Sequence, residues 1–319
     1  KMTSKDKILI GLVDADLLNG GTRHPNLVLL KLAGFLTDNA IPFRLIIDKD
    51  ENIMEYTTIY MSKVFSFTPD PPFYEKVKKT PNENKFKIGG TGDYAIKKDI
   101  KDFKSSRTRD MNQLENDIFL NNYPNKRGGK KKWGIDMCRQ MPYYHLYDEY
   151  IQSKIKAGRK KSYFNDYLYY SIGFLTRGCI RHCPFCVNKL ENKVYRYSEL
   201  EWFLDDERNE KGDLIRPYIY LWDDNFLAAP KEIWQPMLQS LIDSKRPFQF
   251  RQGLDERILA ESEDGEEIAQ MLSKCKYHGD FIFAFDNWRD RDKIIKALKI
   301  WKRHNSKRGT KFYLFCGYT

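Results

Sequence analysis

Apolar residues in this chain fall into short runs, separated by polar turns and by stretches of helical spacing. Residues 7–13, Lys7-Ile-Leu-Ile-Gly-Leu-Val13, predict a strand, and 14–22 a polar, glycine-rich turn. Pro25 and Asn26 open a helical pattern over 27–36 that ends around Asn39. Residues 42–47 predict a second strand, 57–67 contain a third, and 85–88 form a fourth that runs into Gly89-Gly-Thr-Gly92. Strand, helix, strand at these spacings implies a parallel sheet. Such a sheet places ligands at the carboxyl ends of its strands, where the loops 14–22 and 89–92 would stand. Neither loop carries a phosphate fingerprint, since the G-x-G-x-x-G spacing is absent and no Gly-Lys-Ser/Thr follows. A strand-ending turn with positive φ explains residues 89–92 as well.

From about 97 to 161 the periodicity weakens and charge thickens. This stretch predicts a connector with one or two helices, such as 142–156, and two basic loops, 125–132 and 154–161. Alternation resumes at 167. Strands are predicted at 168–175, 218–222, 248–252, 281–285 and 312–315, with helices at 198–206, 232–244, 263–274 and 291–303. Repeated β-α units over this length suggest part of a parallel (β/α) barrel. The expected fold class is α/β: a Rossmann-like parallel sheet over 1–98, a basic connector over 99–165 and a partial (β/α) barrel over 166–319.

Composition narrows the class. The chain has 319 residues, 41% of them hydrophobic, with 20 Tyr and 20 Phe, which argues for a folded protein. Its apolar runs are far too short to span a membrane. No charged-then-apolar leader opens it, so the cytoplasm is the expected setting. In a reducing compartment, clustered cysteines point to metal or redox chemistry and not to disulfides. The net charge of +11 favours polyanionic partners.

The cysteines are clustered. In LTRGCIRHCPFCVNK, beginning at Leu175, Cys179, Cys183 and Cys186 form a C-x3-C-x2-C pattern holding half of the chain's six cysteines. Cys138, Cys275 and Cys316 are scattered and expected to be buried small residues. Four thiolates would close a structural site. Three from one loop hold three corners of a cubane iron–sulfur cluster and leave one iron open for chemistry. Structural zinc is the alternative, but it needs a fourth ligand. His182 directly precedes Cys183, where chelating one ion from adjacent residues is awkward, and Cys275 and Cys316 do not form a pair.

Cys179-x3-Cys183-x-Phe185-Cys186, following the first barrel-like strand, resembles the radical SAM superfamily. The resemblance covers roughly 167–319. It implies a [4Fe–4S] cluster on Cys179, Cys183 and Cys186 whose open iron is chelated by S-adenosylmethionine, reductive cleavage to a 5′-deoxyadenosyl radical, and hydrogen abstraction from a substrate. It also implies that Phe185 packs near adenine. Residues contacting SAM would be Asp223, Asp224 and Asn225 in Tyr220-Leu-Trp-Asp-Asp-Asn-Phe226, Arg251 at the end of the third strand, and Asp286 after Phe283-Ala-Phe285. Asp255 shares the carboxyl end of that third strand. The strand around Tyr313-Leu-Phe-Cys-Gly317 resembles the adenine side. An external electron donor such as flavodoxin or ferredoxin is implied as partner.

The front half is similar to radical SAM proteins with an N-terminal cobalamin-binding-type domain, through the strand 7–13, Pro25-Asn-Leu27 and Gly89-Gly90. The usual D-x-H-x-x-G is absent, and nothing around His24 replaces it, so cobalamin is not expected. A second cluster in the front domain, as in the related methylthiotransferases, is disfavoured because residues 1–137 contain no cysteine. The family's barrel has six strands and this chain offers five, so the expectation is either a fragment or a short barrel that a partner chain closes. Nucleic acid is a candidate partner. Lys126, Arg127, Lys130, Lys131 and Lys132 fall in one loop, and Lys154, Lys156, Arg159, Lys160 and Lys161 in another, with Tyr123, Trp133, Tyr143 and Tyr144 interleaved. A charge-rich, solvated connector explains the same residues. Two rival functions remain: a nucleic-acid-binding protein with a structural metal site, and an inactive scaffold that keeps the cluster.

Overall fold

Two wholly buried strands organise the first half of the chain. In the computed structural model, which describes residues 8–90, 135–186, 188 and 192–314, β1 (Ile10–Asp14) is flanked by β2 (Phe43–Leu45) and β3 (Thr58–Ser62). The fourth strand, β4 (Phe86–Gly89), completes the order β2-β1-β3-β4 with every pairing parallel. All residues of β1 and β3 are buried, which is why their sequences run apolar without alternation. Val13, Ile46, Ile59, Met61, Phe73 and Phe86 pack into one core.

The expected turn after β1 is partly a helix, α1 (Ala15–Gly20). The Asp14 side chain caps it by accepting from Leu17 N at 3.1 Å. The next helix, α2 (Leu27–Asp38), follows the prediction closely, with Asn26 as its N-cap. A four-residue helix, α3 (Pro72–Glu75), precedes β4.

The chain divides into two compact units, Lys1–Tyr167 and Leu168–Thr319. The described part of the expected connector therefore belongs to the first unit. Tyr143 N donates to Leu30 O at 2.8 Å, and the buried Lys31 ammonium donates to Met137 O at 2.6 Å. The helix expected over 142–156 starts later, as α4 (Asp148–Lys156), because 144–147 is spent on turns. Within that turn the Tyr147 hydroxyl donates to Asp14 at 2.9 Å and accepts from Asn26 N at 3.1 Å. The helix α5 (Asn165–Tyr169) ends the segment. The basic loop 125–132, with Tyr123 and Trp133, lies outside the described residues.

In the second unit β5 (Tyr170–Gly173) leads to a short antiparallel ribbon, β6 (Thr176–Gly178) with β7 (Val194–Arg196). The parallel strands β8 (Tyr218–Leu221) and β9 (Phe248–Phe250) extend the sheet in the order β5-β8-β9. A further parallel pair, β10 (Phe281–Ala284) and β11 (Thr310–Tyr313), joins β9 through single bridges, Phe248 to Tyr277 and Leu254 to Phe283. Five parallel strands thus follow one another as the sequence repeat predicts. Among the described residues nothing pairs β11 with β5, so the observed architecture is α/β with parallel sheets and not a closed barrel.

Helices α6 (Lys231–Asp243), α7 (Arg257–Glu261), α8 (Gly265–Lys274) and α9 (Arg291–Asn305) lie between the strands. Their core includes Trp234, Leu238, Phe250, Leu272, Phe283 and Trp301. The helix predicted at 198–206 is only a 3-10 turn, Leu200–Trp202. Phe203 is buried flat against Gly173, whose hypothetical Cβ would lie 2.4 Å from the ring, and Asp205 leaves the turn to bind Arg216 at 2.6 Å. These tertiary anchors override the local helical pattern. Conversely, α7 was not expected from the sequence. Cys275 is buried as expected, whereas Cys138 is only partly so and Cys316 lies outside the described residues.

Candidate functional site

Two adjacent carboxylates after β8 fix the entry to the cysteine loop. Asp223 is 1% exposed. Its Oδ2 accepts from Leu175 N at 3.1 Å, and its Oδ1 from Thr176 N at 2.6 Å and Thr176 Oγ1 at 2.7 Å. Burial pushes its pKa up to about 7, against these hydrogen bonds. Asp223, expected at SAM, is thus turned inward as a strut for β6. Asp224 accepts from Gly178 N at 2.9 Å, the last residue of β6. The ribbon β6/β7 then brackets the loop, pairing Gly178 with Val194.

Within the loop, Cys179, Cys183 and Cys186 are each partly buried. Cys186 N donates to Cys183 O at 3.0 Å, a tight turn around Pro184 and Phe185. Cys179 Sγ accepts from Arg181 N at 3.3 Å and from Asn225 Nδ2 at 3.5 Å, and Cys186 Sγ accepts from Asn188 N at 3.4 Å. Burial raises the Cys183 and Cys186 thiols, and the neighbouring cysteines and Asp286 push the same way. Phe185 is 40% exposed. Among the described residues no group of three or more His, Cys, Asp or Glu side chains is gathered in metal-holding geometry. The donor chemistry fits a group that takes three thiolates: one loop, three sulfurs, N–H donors already directed at two of them. Binding would displace the thiol protons that burial retains.

Beneath the loop lies an ionic network centred on Asp255, which is 8% exposed. Its Oδ2 accepts from Arg181 Nε at 2.7 Å and Asn225 Nδ2 at 3.1 Å, and its Oδ1 from Arg257 Nε at 2.6 Å. Arg181 also reaches Glu261 at 2.6 Å, and Arg257 reaches Asp290 at 2.7 Å. Burial alone would raise the Asp255 pKa, but Arg257 and Arg181 outweigh it and hold it below the usual carboxylate range. Asn225 therefore links Cys179 to Asp255 through one amide, while its own Oδ1 is buried with no hydrogen-bond partner among the described residues. A buried acceptor without a partner is one that a ligand's donor would satisfy.

Of the residues singled out in the sequence, the structure brings together the three cysteines, Asp224, Asn225 and Asp286. Arg251 instead lays its guanidinium over the Tyr220 ring, 4.7 Å from its centroid. Arg181, Arg257, Glu261 and Asp290 were missed. The signal was there for two of them, an arginine inside the C-x3-C spacer and the Asp255-x-Arg257 pair at a strand's carboxyl end. Glu256, between that pair, is fully buried, accepts from Ala284 N at 3.3 Å and is raised by burial to about 7. In the first unit, Gly90 has φ of +104°, and a Cβ there would lie 2.3 Å from Lys63 O, so 89–90 is a strand-ending turn as expected. His24 is paired with Asp166.

No known family model matches this chain, and no curated protein sequence does. Among solved structures it is similar to TsrM, a radical S-adenosylmethionine methyltransferase from Kitasatospora setae with cobalamin and a [4Fe–4S] cluster bound. The TM-score is 0.50 at 13% identity, over 96% of this chain and 68% of that one. The likeness is one of fold: α/β, with parallel sheets, along nearly the whole chain. No helix among the described residues is long and apolar enough to cross a membrane.

Proposed function

We propose that this chain is a radical SAM enzyme. The observation that carries the reading is the three-cysteine loop, closed by the β6/β7 ribbon, tied to the carboxyl end of β8 by Asp223, Asp224 and Asn225, and through the Asn225–Asp255 hydrogen bond to the segment after β9. Cys179, Cys183 and Cys186 would hold a [4Fe–4S] cluster, which when bound supplies the electron for reductive cleavage of SAM to a 5′-deoxyadenosyl radical. The chain's own residues set the frame. Asp223 and Asp224 hold β6. Asn225 donates toward Cys179 Sγ and keeps an acceptor free for a cationic donor such as an ammonium. Asp255, clamped by Arg181 and Arg257, holds Asn225 and the loop backbone in register. Phe185 offers an exposed ring that would stack a base, and Asp286, near Cys183 and Cys186, would add negative charge for a bound sulfonium. A flavodoxin or ferredoxin would deliver the electron.

The test is anaerobic reconstitution with iron and sulfide, followed by SAM and dithionite. A brown protein that forms 5′-deoxyadenosine is the expected result. A brown protein that forms none would be the cluster-bearing scaffold, and a colourless zinc protein would favour the nucleic-acid-binding alternative. A second reading adds cobalamin, because TsrM binds it. The expectation that cobalamin does not bind, founded on the missing D-x-H-x-x-G, draws no support from that likeness. Retention of a corrinoid by protein purified from supplemented medium decides it.

A further inference from the structure

The first unit contains a cavity of about 280 Å3 beside α1, floored by Leu17 and Leu18 and walled by Tyr150 of α4 and by Tyr163. Three cations line it, Lys49, Lys154 and Arg159, and among the described residues no carboxylate does. Two of them are held by rings: Lys154 Nζ lies 5.4 Å from the centroid of Tyr150, and the Arg159 guanidinium 4.6 Å from that of Tyr163. Arg23 approaches the Tyr163 ring as well, at 5.8 Å. Among the described residues no carboxylate is paired with Lys49, Lys154 or Arg159. The Asp48 carboxylate, next to Lys49 in sequence, is turned to Asp50 N at 3.0 Å.

The two tyrosine hydroxyls converge on one point. A Cβ built on Gly21 would lie 3.3 Å from Tyr150 Oη and 3.8 Å from Tyr163 Oη. Gly21 has φ of +80° and carries no side chain, which keeps that point open. The cavity thus joins cations, hydroxyl donors, ring faces and an apolar floor. Cations and hydroxyls suit a phosphate. Rings and leucines suit a flat heterocycle. The volume is at the lower edge of small-molecule pockets, which start at about 300 Å3, so one nucleotide unit fits better than two.

We infer that this cavity binds a nucleoside monophosphate unit, its phosphate on Lys49, Lys154 and Arg159 and its base against Tyr163. The unit comes either as a free nucleotide or within a strand. Its lining residues all lie in the first unit, outside the cysteine loop.

The experiment titrates the full-length protein with 5′-AMP, adenosine, inorganic phosphate and an eight-nucleotide RNA at low salt, by calorimetry. AMP is expected to bind at least tenfold more tightly than adenosine. The exposed triple change Lys49→Ala, Lys154→Ala, Arg159→Ala should weaken AMP at least tenfold with an unchanged melting temperature, and Tyr163→Leu should weaken AMP more than inorganic phosphate. If RNA alone binds, and the triple change weakens it at least tenfold, the unit is supplied within a strand and the inference stands. Adenosine binding as tightly as AMP, binding unaffected by the triple change, or no binding of AMP or RNA would overturn it.

Discussion

Gly178 and Lys193 meet back to back across the mouth of the cysteine loop: a methyl group on Gly178 would lie 2.3 Å from the Lys193 carbonyl oxygen. Gly178 also has φ of +93°, so a side chain there is strained by its own backbone as well as by its neighbour. Gly178→Ala is expected to open the β6/β7 ribbon, cost about 1–3 kcal/mol in urea unfolding, and lower the iron held per chain after reconstitution. Gly212 is the control, since it has φ of +82° but open space around it. Gly212→Ala should lower stability through backbone strain and leave iron unchanged. Full iron loading of Gly178→Ala would refute the idea that this contact closes the loop.

A second prediction concerns the carboxylate shared by two arginines. Asp255 accepts from Arg181 on one oxygen and Arg257 on the other, and is nearly buried. Removing one partner of a buried ionic cluster typically costs about 3–5 kcal/mol. Glu261 and Asp290 still engage the two arginines, so Asp255→Ala should fall near the lower end, about 3 kcal/mol. Asp255→Asn keeps the size and should cost less. Urea denaturation of both variants checks the order, and an Asp255→Asn protein as stable as the parent would mean that charge is not what Asp255 contributes.

The third prediction is a pH dependence. Burial raises Asp14 from 3.8 to about 6. Below pH 4 the carboxyl is protonated in both folded and unfolded chains, and its favourable contribution is fully present. As pH rises from 4 to 6 the unfolded chain ionises first while the folded one keeps its proton, so stability falls, by about 3 kcal/mol at about 1.4 kcal/mol per unit, and then levels off. Asp14→Asn cannot ionise and should lack this fall. The stability difference between the two proteins, from urea unfolding at a series of pH values, should therefore change between pH 4 and 6. A constant difference would count against the burial of this charge.

The sequence carried the succession of strands and helices and the parallel sheets because period and spacing are local properties. β1, α2, β8, α6 and α9 appear within a few residues of their predicted bounds. The failures share one cause. The segment 198–206 has the helical pattern, but Phe203 is pinned on Gly173 and Asp205 on Arg216, contacts that no window of the sequence contains. The cysteine loop was legible because its three thiols are adjacent in sequence. Asp223 was legible as a polar residue at a strand end, but its bonds to Leu175 and Thr176 were not, since a carboxylate that binds a backbone and one that binds a ligand are written with the same letter. Arg181 and Asp255 meet across |i−j| of 74, so their pairing needs the fold.

The last prediction separates ligand from core among the cysteines. Cys179, Cys183 and Cys186 stand in one loop with N–H donors at the first and last sulfurs. Cys275 is 1% exposed in the core, donates weakly to Met271 O at 3.4 Å, and is pushed by burial up to about 12. A thiol held so firmly protonated is a packing group, not a ligand. Replacing any one of the three loop cysteines with Ala should remove most of the reconstituted iron and the broad visible absorbance, while melting the apo-protein at nearly the same temperature, because their side chains fill no core. Cys275→Ala should do the opposite: full iron, with stability lower by about 1 kcal/mol for the small cavity it leaves. Iron and sulfide assays on the four variants, with apo-protein melting curves, give both readings. Iron lost in Cys275→Ala at unchanged stability would make Cys275 a ligand and end the three-thiolate assignment.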